Sequence, residues 1–140
     1  MGALMEMYKT DTQLESAGVW LQYGETDDGK PIRIRVARAG GSNKRYNKAL
    51  QAAIRPVQRL VATGNMPIER STTIVQGVFS RHVILEWENV DIEDEADVPF
   101  TPENAMRLFT VLPGIWEDIQ EQASSSAIFR DVVREEVLGN

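Results

Sequence analysis

The chain predicts an α+β fold, with a small N-terminal antiparallel β-hairpin or sheet packed on a mostly helical body of about five helices. Two patterns carry this expectation. Apolar residues alternate with a period of two around Val19–Val36 and recur afterwards with helical spacing in several separate stripes. A length of 140 residues leaves room for one such domain. The boundaries expected are an arm over 1–12 and a single domain over 13–140.

The strands come first. Val19, Leu21 and Tyr23 alternate with Trp20 and Gln22. A turn over 25–30 follows, built on Asp28-Gly29, because Asp-Gly tolerates a positive φ. Ile32, Ile34 and Val36 then alternate with Arg33 and Arg35, giving a strand with one apolar and one cationic face. Gly40-Gly41 ends it, and Ser42 or Asn43 can cap a helix. Tyr46, Ala49, Leu50, Ala53, Ile54, Val57, Leu60 and Val61 keep one helical face through Pro56, where a kink or two abutting helices are expected and the in-phase stripe favours the kink.

The next helix is expected over 67–87, with Ile74, Val75, Val78, Phe79, His82 and Leu85 inward. Gly77 within it predicts the close approach of another element. An acidic loop over 89–100 follows. Thr101-Pro102-Glu103 then reads as a helix start with a capping hydroxyl, a first-turn proline and a carboxylate at the positive end. Ala105, Leu108, Phe109 and Leu112 form that helix's buried face. Pro113 opens another helix burying Ile115, Trp116 and Ile119, and a last one holds Phe129, Val132, Val133 and Val137.

Composition argues against most chemistry. There is no cysteine, which removes disulfides and thiol nucleophiles and is compatible with a reducing cytoplasm. His82 is the only histidine, so no histidine-rich metal site or two-histidine relay can form, and a structural role is expected for it. The sequence contains neither a Gly-x-Ser-x-Gly elbow nor a phosphate-loop signature. The acidic run suggests calcium, but Ala96 stands where an EF-hand loop needs glycine, and Pro102 where it needs glutamate. The chain is therefore expected to be non-catalytic, without cofactor or metal. No apolar run approaches the ~18 residues of a membrane span. No signal peptide is expected, and Glu6 breaks a myristoylation motif.

Charge is the informative feature. The net charge of −6 conceals nine basic residues and no acidic one over 30–59, then eight acidic residues and no basic one over 86–103. The candidate partner-binding residues are Lys44, Arg45, Lys48, Arg55 and Arg59 on the basic side, and Asp91, Glu93, Asp94 and Glu95 on the acidic side. Gly40-Gly41-Ser42 ahead of a helix could hold an anion, although a plain turn with a cap is the simpler reading. Nucleic-acid binding by the 30–59 stretch is an alternative, weakened by the absence of any recognisable nucleic-acid module.

Several segments in order resemble one group of phage tail assembly chaperones. They are Leu14-Glu15-Ser16-Ala17-Gly18-Val19-Trp20-Leu21, then Arg38-Ala39-Gly40-Gly41-Ser42-Asn43-Lys44-Arg45-Tyr46, then Leu85-Glu86-Trp87-Glu88-Asn89-Val90. Val98-Pro99-Phe100-Thr101-Pro102-Glu103-Asn104-Ala105, Leu112-Pro113-Gly114-Ile115-Trp116 and Ala127-Ile128-Phe129 complete the series. The resemblance implies a siphovirus-type protein of the host cytoplasm that is absent from the mature virion. It implies binding of the tape measure protein and help in placing tail tube subunits around it. A minor structural component of the tail is the remaining alternative. Self-association, basic helix against acidic loop, would suit coating a long partner.

Overall fold

The computed structural model describes residues 2–130 of the 140-residue chain. Helix α1 (Ala3–Tyr8) and helix α2 (Thr12–Ala17) precede strands β1 (Val19–Glu25) and β2 (Pro31–Val36). Helix α3 (Lys44–Ile54), a 3-10 turn (Arg55–Val57) and helix α4 (Gln58–Ala62) follow. Then come α5 (Ile68–His82), β3 (Ile84–Glu88), α6 (Pro102–Val111), α7 (Pro113–Ser124) and a second 3-10 turn (Ala127–Phe129). The architecture is α+β, as the sequence predicts, with a three-stranded antiparallel sheet in the order β1-β2-β3.

The third strand corrects the long helix expected over 67–87, which stops at His82. The cause is a bulge. Arg35 pairs with Glu86 but Val36 with Ile84, so Leu85 is an extra residue. Buried Ile84 and Trp87 therefore lie three apart instead of two, and that spacing imitates a helix. Leu85 is only partly covered, not a core residue. On the inner face Val19, Leu21, Ile34 and Val36 join Ile84 and Trp87 in the core.

Pro56 produces the expected break as a 3-10 turn between two helices. Beyond it the apolar stripe does not continue inward: Val57 is buried, but Val61 is exposed. Leu112 is exposed as well, at the junction of α6 and α7. The helix starts at Thr101 and Pro113 are as expected. Thr101 Oγ1 accepts from Asn104 N at 3.0 Å and caps α6, while Trp116 and Ile119 of α7 are buried.

Phe79 of α5 is fully buried and meets Tyr46 and Trp116 edge-on, at centroid distances of 5.8 and 4.9 Å. Helix α5 thus lies between α3 and α6, with β3 continuing from its end. The segment expected as an arm contains α1, none of whose residues is buried. It is tied down after the helix, where Asp11 N donates to Phe129 O at 2.9 Å and Thr10 bridges to Arg130. Of the last expected helix, Phe129 lies in the second 3-10 turn, and Val132, Val133 and Val137 lie outside the described residues.

Candidate partner-binding surface

The two charged stretches are largely reassigned by the sheet. Arg33 pairs with Glu88 and Arg35 with Glu86, at 3.2 Å for the second, across the β2–β3 ladder. Both guanidiniums lie over the Trp20 ring, at 4.6 and 5.9 Å. Arg38 pairs with Glu15 at 2.6 Å. With Lys30 3.6 Å from Asp28 in the β1–β2 turn, four of the nine cations therefore pair with acids of the same domain. Lys44, Arg45, Lys48, Arg55 and Arg59 remain exposed along α3, the 3-10 turn and α4.

The acidic loop between β3 and α6 carries Asp91, Glu93, Asp94 and Glu95, all exposed. It is a built element. Ile92 and Val98 anchor it in the core, and Ile92 bridges to Glu95. Asp91 Oδ1 accepts from Asp97 N at 2.8 Å. Asn89, Glu93 and Asp97 all adopt positive φ, an unfavourable backbone for non-glycine residues that the anchors on either side hold in place. Glu95 pairs with Arg107 at 3.1 Å. No ion pair among the described residues joins this loop to the α3 cations, and none of its carboxylates belongs to a group of three or more placed to hold a metal.

Between the charged regions lies a groove of about 510 Å³. Its walls are Ala49, Ala52 and Ala53 of α3 and Ile74, Gly77 and Arg81 of α5, with Pro102 and Met106 of α6 at one side. The element expected to pack against Gly77 is absent: nothing lies within 4 Å of where a Cβ would stand. Small side chains on facing helices leave an open channel where longer ones would close it. His82 is on this wall instead of in the core. Its Nδ1 accepts from Arg45 Nε at 3.1 Å. Burial, then the charges of Arg45 and Arg81, lower its pKa and preserve the neutral acceptor form.

A second depression of about 390 Å³, lined by Glu93, Arg107, Thr110 and Val111, shares Glu103 and Met106 with the groove. Through Glu103 and Met106 the groove is continuous with this depression, which reaches Glu93 of the acidic loop. Arg81 and Glu103 are charged residues of the groove lining, and Arg107 stands beside Glu93 in the depression. The candidate residues of both charged blocks are exposed. Sequence reasoning missed the groove, whose signal is the coincidence of small residues on two helices distant in sequence.

The Gly40-Gly41-Ser42 turn already holds an anion, and it is the chain's own. Glu15 is 2% exposed and accepts from Arg38 Nη1, from Thr10 Oγ1 at 2.9 Å and from Ser42 Oγ at 3.0 Å. Asn43 caps α3. The motif pairs are likewise structural: Glu15 joins the first to the second, and Trp87 Nε1 donates to Val98 O at 2.8 Å, joining the third to the fourth.

Fold and surface together define a small α+β domain with an open groove between helices. Residues 41–140 match the family described as YdaY prophage protein, and the chain belongs to that family. It is therefore a phage-related protein. The match begins at Gly41 and so includes the groove, the acidic loop and β3, but not the β1–β2 hairpin. No curated protein and no solved structure matches. Among the described residues, no helix is long and apolar enough to cross a membrane.

Proposed function

We propose that this chain is a non-catalytic tail assembly chaperone that receives an amphipathic helix of the tape measure protein in the α3–α5 groove. The observation that carries the reading is the groove itself, open over Gly77 and walled by Ala49, Ala52 and Ala53. A tape measure protein is a long helical chain that exposes apolar stripes until tube subunits enclose it, and contiguous apolar surface drives aggregation. Small groove residues let a helix backbone approach closely, and rim charges of opposite sign select its direction. Membership of a prophage family supports a phage setting. The proposed place of action is the host cytoplasm, with the tail tube protein arriving as the chaperone leaves.

Nucleic-acid binding is the weaker reading, because Arg33, Arg35 and Arg38 are already paired with carboxylates. The test is co-expression with the tape measure protein of the same phage. Soluble tape measure should depend on this chain and fall several-fold with Ala52→Asp or Gly77→Leu, both of which obstruct the groove. Tape measure solubility that ignores the chain would refute the proposal. Recovery of the chain from purified virions would favour a tail component instead.

A further inference from the structure

We propose that, when no other partner is present, the groove is filled by helix α1 of a second copy. The inference uses the same groove as the reading above but does not depend on the tape measure protein. Helix α1 needs a cover: it has six residues, no side-chain cap and no buried residue, and helices this short are not stable in water by themselves. Leu4 and Met7 stand at i and i+3 on one face and are 74% and 55% exposed. The C-terminal end of α1 and the chain after it are fastened at Arg130, through the Tyr8 ring 5.0 Å from its guanidinium and through Thr10. Leu4 and Met7 thus present an apolar pair that none of the described residues buries.

Charges match as well. Glu6 lies in α1 and Lys9 is its extended C-cap, and the groove lining offers Arg81 of one sign and Glu103 of the other. Seating Glu6 by Arg81 and Lys9 by Glu103 fixes one direction, while Leu4 and Met7 enter the space over Gly77. The expected electrostatic pairing of basic helix with acidic loop would lack this apolar component. An arm of one copy in the groove of the next is a heterologous contact, so copies continue into rings or open chains and do not stop at a symmetric dimer. A tape measure helix would displace the arm, so self-association and partner binding compete.

The test is light scattering of the purified chain across concentration and salt. The native chain should form concentration-dependent oligomers. The double variant Leu4→Asp/Met7→Asp, at exposed positions outside the core, should remain folded by circular dichroism and associate at least about tenfold more weakly. Gly77→Leu should do the same from the groove side. Glu6→Arg and Arg81→Glu should each weaken association, and their combination should restore it. A chain monomeric at all concentrations overturns the proposal, as does an oligomer indifferent to both the arm and the groove variants. Failure of the charge pair to recover overturns it too. Because the arm variants leave the groove intact, they should hold a tape measure partner at least as well as the native chain. Loss of self-association and loss of chaperone activity are thereby separable.

Discussion

Glu15 binds three parts of the chain at one carboxylate: Thr10 before α2, Arg38 after β2 and Ser42 before α3. Burial alone would raise its pKa, but hydrogen bonds from Arg38, Thr10 and Ser42 and the charge of Arg38 outweigh it, so the net shift is downward. A depressed carboxyl stabilises the folded state above the unfolded-state pKa, about 4.3, and that contribution disappears as pH falls through the folded value. Urea unfolding should therefore show stability lost below about pH 4.3, with a smaller acid loss in Glu15→Gln. At neutral pH the same variant should cost about 3 kcal/mol, because it strands the largely buried Arg38 charge. Gly41 is constrained by this site. Its φ is +54°, and an added Cβ would collide with Glu15 Oε2 and lie 2.7 Å from Arg38 Nη1. Gly41→Ala should thus destabilise by about 1–3 kcal/mol on the same urea measurement.

Gly77 is the opposite case, and the contrast belongs to the element that carries it. It lies inside α5 with open space where a Cβ would go. Gly77→Ala should raise stability by about 1 kcal/mol in thermal or urea unfolding, since alanine gains helix propensity without a clash. A glycine retained at that cost is consistent with a groove kept clear for an occupant. Strand β3 shows how an element can be misread from sequence. Phe79, His82 and Leu85 continue a helical spacing past the true end of α5, and the bulge at Leu85 gives Ile84 and Trp87 the same disguise. A better signal was present in Arg33, Arg35, Glu86 and Glu88. Two cations and two anions, each pair with a period of two, mark facing strands.

At the scale of the molecule, the last described turn closes the structure. Phe129 is fully buried, its carbonyl accepts from Asp11, and Ala39 N donates to Ala123 O at 2.8 Å. The C-terminal helices thereby fasten α2 and the β2–α3 connection. Phe129→Ala should cost about 3–5 kcal/mol and lower the thermal midpoint of the whole domain in one transition, not release a local segment. Tyr23 adds a second tie, donating to Asp118 Oδ2 at 2.6 Å from β1 to α7.

The sequence alone determined the fold class, the β1–β2 hairpin and the caps of α3 and α6, because alternation, turn chemistry and capping act between residues a few positions apart. It also showed the division of charge into a basic block over 30–59 and an acidic block over 86–103. Tertiary structure decided how those charges are spent. Pairing β2 with β3 brings Arg33 and Arg35 to Glu88 and Glu86 across more than fifty residues of chain, leaving the α3 cations as the open basic surface. It also decided that Ala49, Ala52 and Ala53 would face Gly77 across an open groove. Small side chains on two helices say nothing individually about the space between them; that space exists only once packing around Phe79 sets the distance between α3 and α5.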